Sequence, residues 1–284
     1  MTTTTALIFP GQGSQRPGMG DLVAAHRPDL LDALSDLVDD DVFERADEGT
    51  AFQQPAVFCA SLAVYEALGR PTASAFAGHS LGEIAALTAA GVFSDVDGLR
   101  IVVERGRAMQ RAGELNPGSL IAVIGPAAAA HELAESCGLS IANENAPDQV
   151  VLAGEPAALD AACVAARDAG LRAVRLPVGG AFHSDAMAPA AAHLAAVLDD
   201  IPLGPASARV LSCATGQEFL DVRSELVGAL TRPVRWVDTV QALADAGVER
   251  FVEVGPGRVL SGLVRRIVPG ATVVRGEEEV SVGV

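Results

Sequence analysis

With 284 residues, half of them apolar, the chain can bury a large core and reads as one large domain or a large one carrying a smaller insert. Its formal net charge is -16 and all 20 basic residues are arginine, which argues against nucleic-acid binding and removes Schiff-base lysine chemistry and a P-loop lysine. Cys59, Cys137, Cys163 and Cys213 are scattered without metal spacing and read as free thiols. The N-terminus shows no signal-peptide pattern, and no stretch approaches the roughly 20 apolar residues of a membrane span, so a soluble, cytoplasmic protein without a metal is expected.

Residues 6–9 (ALIF) form a short apolar strand that stops at Pro10-Gly11. Residues 21–48 combine helical periodicity with many acids and predict a solvated helical layer, whereas 55–68 are apolar nearly all round and predict a buried helix. A strand at 74–77 then runs through Gly78-His79-Ser80-Leu81-Gly82 into the helical run EIAALTAAGVF. Between 119 and 178 the pattern is strand, helix, strand, strand, helix, strand, the order of a ferredoxin-like module inserted in a larger α/β body. Helix 185–199, a strand near 208–212, helices near 222–230 and 237–246 and a strand at 250–254 follow. Gly255-Pro256-Gly257 turns the chain into a helix over 259–267, and the tail GEEEVSVGV is expected to fray.

The pentapeptide at 78–82 fits G-x-S-x-G, in which a serine on a strained strand-to-helix turn presents its hydroxyl at a helix N-terminus. The bare motif also describes a serine capping an ordinary βα turn; the strand before it and the helix after it favour a nucleophile. Such a serine needs a base, and histidine is the usual one. His26 and His131 fall in polar helical stretches, and His193 sits on a helix. His79 adjoins the serine, and its side chain is expected to point away across the turn and pack structurally. His183, in GGAFHSD, follows the last strand of the insert, at a junction where clefts form.

These residues belong to a set of separated motifs: FPGQGSQ at 9–15, GHSLGE at 78–83, RGRAM at 105–109, ANENAPDQVVLAG at 142–154, GAFHS at 180–184, RPVRW at 232–236 and EVGPGRVLSGL at 253–263. In this order the chain resembles the malonyl-CoA:acyl-carrier-protein transacylases and the acyltransferase domains of polyketide synthases, over about residues 7–267. The resemblance implies an α/β fold: an α/β-hydrolase-like large subdomain with a parallel sheet, residues 1–117 and 184–284, and a ferredoxin-like small subdomain inserted at 118–183. It implies Ser80 as nucleophile and His183 as base, with Gln12 and Leu81 supplying oxyanion N–H groups. Arg105 is implied as a clamp for a free carboxylate, a task that suits a planar, bidentate guanidinium. Helical spacing alone does not separate Arg105 from Arg100, Arg107 or Arg111. Phe182 resembles the malonyl-selective form of its motif. Asn143 and Asn145 match residues lining the family's cleft, with support or turn roles equally open.

The family holds its histidine through a backbone carbonyl, so no triad acid is nominated and Asp185 reads as a helix N-terminal residue. Where many members carry glutamine three residues before Arg232, this chain has Ala229. The implied reaction is malonyl transfer from malonyl-CoA, a coenzyme A thioester, to the phosphopantetheine thiol of an acyl carrier protein, with no bound cofactor, by a monomer. Arg265 and Arg266, or arginines of the insert, are expected to form a positive patch beside the cleft. The rival readings are an acyltransferase for a substituted malonyl unit, a malonate-decarboxylase acyltransferase subunit, a serine thioesterase or other hydrolase, and a non-catalytic scaffold.

Overall fold

The computed structural model describes residues 4–282. The chain enters through β1 (Thr5–Phe9), whose last four residues are buried, and passes through a loop into α1 (Met19–His26) and α2 (Pro28–Ser35). The helical layer expected over 21–48 ends at Ser35. Beyond it the acids favour turns, and the Asp41 carboxylate accepts the N–H groups of Phe43 and Glu44, offering the backbone an alternative to helix. Next comes α3 (Thr50–Ala67), buried on nearly every side, as its uniformly apolar sequence requires. It starts one turn before the expected Pro55. Side chains hold that extra turn: Gln54 Nε2 donates to Thr50 Oγ1 at 2.9 Å, and the Ala51 N–H donates to Gln110 Oε1 at 3.2 Å.

The chain continues through β2 (Ala75–Gly78), α4 (Gly82–Ala89) and α5 (Asp95–Leu115), the last capped by Ser94, whose hydroxyl accepts the Asp97 N–H. A four-stranded antiparallel sheet follows, built from β3 (Ser119–Ile124), α6 (Ala127–Cys137), β4 (Ser140–Ala146), β5 (Gln149–Gly154), α7 (Pro156–Asp168) and β6 (Arg172–Arg175). Its strand order, β4-β5-β3-β6, is that of the expected ferredoxin-like module, with α6 and α7 closing a separate apolar core on Ile121, Val123 and Leu152.

After a 3-10 turn at Asp185–Met187 the chain rejoins the first sheet through α8 (Ala188–Asp199), β7 (Arg209–Leu211), α9 (Val222–Ala229), α10 (Trp236–Asp245), β8 (Arg250–Glu253) and α11 (Val259–Ile267). Two elements differ from expectation. β9 (Thr272–Arg275) adds a parallel strand beside β8, and the tail forms α12 (Gly276–Val282) instead of fraying. Glu277 of α12 binds Arg16 and Glu279 binds Arg250, so neighbouring charges order the tail; residues 283–284 lie outside the described residues. The five-stranded sheet, β7-β2-β1-β8-β9, is parallel throughout, so the loops after β1, β2, β7 and β8 all emerge at one edge. In open α/β sheets that carboxyl edge is where ligands bind. The inserted sheet is fastened there: β4 bridges Val234, with the Glu144 N–H donating to Val234 O at 2.8 Å and the Val234 N–H to Ala142 O at 2.8 Å.

Candidate active site

Backbone crowding shapes the turn after β2. A Cβ on Gly78 would lie 2.0 Å from the Gly82 carbonyl carbon, and one on Gly82 would lie 2.1 Å from Phe9 O, so the motif glycines let three stretches of backbone meet. Ser80 between them has φ +54° and His183 has φ +60°; both sit in the left-handed region that only glycine enters without strain. Gly82→Ala should therefore cost roughly 3 kcal/mol or more, because the clash is with backbone. Gly262→Ala, in the exposed interior of α11 where a Cβ meets nothing within 4 Å, should stabilise by up to about 1 kcal/mol. Thermal unfolding of the two variants checks the opposite signs.

Ser80 Oγ lies 2.8 Å from His183 Nε2, joining residues 103 apart in sequence. On its far side the imidazole Nδ1 lies 2.9 Å from Ala229 O and 3.2 Å from Arg232 O. Two carbonyl acceptors require Nδ1 to carry the proton, which leaves Nε2 free to accept from the serine. A main-chain carbonyl does the orienting, so alanine at 229 fulfils it as well as any side chain would. Asp185 is exposed in the 3-10 turn, away from this bond. Burial, reinforced by the charge of Arg105, pushes the His183 pKa down to about 3, so the imidazole is neutral at physiological pH.

Arg105, on α5, is 2% exposed. Its guanidinium donates to Ser80 Oγ at 3.1 Å and to Gln54 Oε1 at 2.7 Å. Burial lowers its pKa to about 10, which still leaves it cationic at neutral pH. Gln12 lies in the loop after β1. This loop is pressed onto the elbow: the His79 N–H donates to Phe9 O at 3.0 Å, and a Cβ on Gly11 would lie 2.5 Å from His79 O. The Gln12 side chain is held by Gln53 at 2.6 Å and by Thr50 at 2.8 Å. The main-chain N–H groups of Gln12 and Leu81 have no hydrogen-bond acceptor among the described residues, as donors awaiting a ligand oxygen would.

A cavity of about 160 Å³ opens onto Ser80 and is lined by Gln12, Met109, Asn143, Phe182 and His183 among others. Phe182 also lines a neighbouring cavity of about 220 Å³. Asn145 is not among the residues lining the Ser80 cavity. Its Oδ1 lies 2.8 Å from His79 Nε2, and the His79 ring packs edge-on against Trp236; both residues shore up the elbow. His131 and His193 pair with Glu144 and Glu104 at the surface.

Two of the arginines expected in a positive patch divide. Arg266 is committed to Asp148 of the inserted module at 2.9 Å, whereas Arg265 joins Arg258 and Arg275 around a surface concavity that also holds Glu278 and Glu279. Gln53 and Gln54 escaped the sequence reading, although two glutamines ahead of an otherwise apolar helix were a visible signal. Among the described residues, no cluster of three His, Cys, Asp or Glu could hold a metal ion, and no helix is long and apolar enough to cross a membrane.

A hydroxyl on a strained strand-to-helix turn, bonded to a neutral imidazole in an α/β fold, is the arrangement of an enzyme of the acyl-transfer class. The chain belongs to the acyl transferase domain family, whose model matches residues 6–275. It is 40% identical over 281 residues to polyketide biosynthesis protein ThaF of Burkholderia thailandensis, covering 93% of this chain but only 24% of that longer protein. It is 37% identical to the malonyl CoA-acyl carrier protein transacylase of Haemophilus influenzae, covering 93% of this chain and 92% of the relative. A solved malonyl-transacylase in complex with its type II PKS acyl-carrier protein superimposes with a TM-score of 0.86 at 36% identity, over 96% of both chains.

Proposed function

We propose that this acyltransferase moves a malonyl group from malonyl-CoA to the phosphopantetheine thiol of an acyl carrier protein through a malonyl ester on Ser80. The observation that carries this reading is the placement of one serine oxygen between a neutral imidazole, at 2.8 Å, and a buried guanidinium, at 3.1 Å. A serine hydrolase has use for the first but not for the second. The names of the relatives, malonyl transacylases and a polyketide biosynthesis protein, agree with it.

His183 takes the Ser80 proton as the serine oxygen attacks the thioester carbon. The tetrahedral oxyanion is held by the main-chain N–H groups of Gln12 and Leu81, and the proton returns to the departing CoA sulfur. In the second half-reaction His183 deprotonates the carrier thiol, which attacks the acyl-serine and regenerates Ser80. Arg105 turns from the serine to the free carboxylate of the malonyl group, with Gln54 holding the other side of the guanidinium. Thioester exchange is nearly isoenergetic, so the remaining requirement is to keep water from the ester.

Incubation with a panel of acyl-CoAs followed by mass spectrometry of the intact protein and its peptides tests the reading. A malonyl adduct on Ser80 that passes to carrier protein is expected; free malonate without malonylated carrier would place the protein among hydrolases. The same panel reads selectivity. Phe182→Ala should raise the use of methylmalonyl relative to malonyl on the order of tenfold, since one methyl-sized group is worth roughly 1–3 kcal/mol.

A further inference from the structure

Behind the elbow lies a set of buried polar groups that acyl transfer leaves unused. The Ser80 N–H finds no backbone carbonyl and donates instead to Cys213 Sγ at 3.4 Å. Cys213 follows β7 and is fully buried. Its own N–H donates to Glu83 Oε1 at 2.6 Å, and its carbonyl accepts the Arg235 N–H at 2.6 Å. Glu83 lies in the first turn of α4, three residues beyond the serine, is 1% exposed, and donates its N–H to Ser80 O at 3.0 Å. The contacts close a ring: Ser80 to Cys213, Cys213 to Glu83, Glu83 back to Ser80.

We propose that Glu83 and Cys213 are positioning residues, a brace that ties β7 to α4 and holds the main chain of Ser80 in its left-handed conformation. The inference rests on Ser80 being the nucleophile. A non-glycine residue with positive φ is costly and persists only where its surroundings over-determine it. Here the Ser80 amide is tied to the Cys213 side chain and the Ser80 carbonyl to the Glu83 main-chain N–H, while the Glu83 carboxyl fixes the main chain of Cys213. A carboxyl that merely filled space would be replaced at a gain by an apolar group, because burying one without an ion-pair partner is expensive. Glu83 makes no ion pair among the described residues. Burial pushes its pKa up to about 7, with the Cys213 contacts and the charge of Arg105 opposing the rise. Its oxygen accepts the Cys213 N–H whether the carboxyl is ionised or neutral, so a glutamine should substitute for it in this role.

The test measures the rate at which a fluorophosphonate probe labels Ser80, alongside kcat and KM for malonyl-CoA, in wild type, Cys213→Ala, Cys213→Ser, Cys213→Val, Glu83→Ala, Glu83→Gln and Glu83→Met. Cys213→Ala and Glu83→Ala are expected to slow labelling and lower kcat by the same factor, roughly 10- to 100-fold as for a misplacement of about 1 Å, with KM little changed. The serine and glutamine variants, which keep an acceptor in place, should recover most of the rate. A simple packing role would instead track side-chain volume: Cys213→Val and Glu83→Met, which fill the space without an oxygen acceptor, would then recover the rate as well as the serine and glutamine variants do, and that result would overturn the brace. If Glu83→Ala does not fold, Cys213→Ala decides alone: labelling at the wild-type rate overturns the brace. Labelling of wild type at Ser80 without malonyl loading would overturn the malonyl reading, leaving the variants to judge the brace.

Discussion

Ser80→Ala is expected to take no acyl group from malonyl-CoA and to lose roughly 10⁴-fold or more of the transfer rate. The hydroxyl is the one nucleophile that His183 Nε2 reaches among the described residues, at 2.8 Å. Without it the oxyanion donors and Arg105 still bind substrate but have no covalent intermediate to stabilise. His183→Ala should cost nearly as much, because a nucleophile and its base act as a unit and their losses do not add. The double variant should then be no slower than either single one. Intact-protein mass spectrometry reads the first outcome, and steady-state transfer to carrier protein reads the second. A malonyl adduct that persists on Ser80→Ala would move the nucleophile elsewhere.

Local rules pointed to Ser80. The glycines at 78 and 82, the strand before them and the helix after them are short-range signals, and the structure shows the crowding that demands them. The order of the inserted module was legible for the same reason, since its strands and helices alternate over short spans. The tail was misread because its order comes from charges far away in sequence: Glu277 meets Arg16 across 261 residues. The glutamine network around Arg105 was missed for a similar cause. Gln54 looked like the prelude to an apolar helix, and only the packing of α3 against α5 turns it onto the guanidinium. Cys213 read only as a free thiol, since nothing in its neighbourhood in sequence reveals that β7 ends beside the Ser80 amide. Asn145 shows the limit of motif matching: position within ANENA does not tell which of two asparagines faces the cleft, and the irregular pairing of β4 with β5 decides it.

Arg105→Ala should separate malonyl from acetyl transfer. In the free protein the guanidinium spans Gln54 and Ser80 and makes no ion pair with a carboxylate among the described residues. A substrate carboxylate would supply that missing anion inside a buried site, where a charge-assisted bidentate contact is worth about 3 kcal/mol, or roughly 100-fold. Acetyl-CoA carries no such group, so its transfer should fall far less. The comparison must allow for a second effect. Arg105 also depresses the His183 pKa, and its removal lets that pKa rise toward the ordinary imidazole value of 6.5. Burial, the larger cause, stays in place, so a loss from a protonated base would be confined to acid pH and would strike both substrates alike. At pH 8 the imidazole is neutral in either protein, and the difference between substrates reports the carboxylate contact alone. Arg105→Lys should fall between, since an ammonium keeps the charge but not the planar pair of donors. Equal losses for malonyl and acetyl at pH 8 would mean that the guanidinium serves the serine, which it already touches, and not the acyl group.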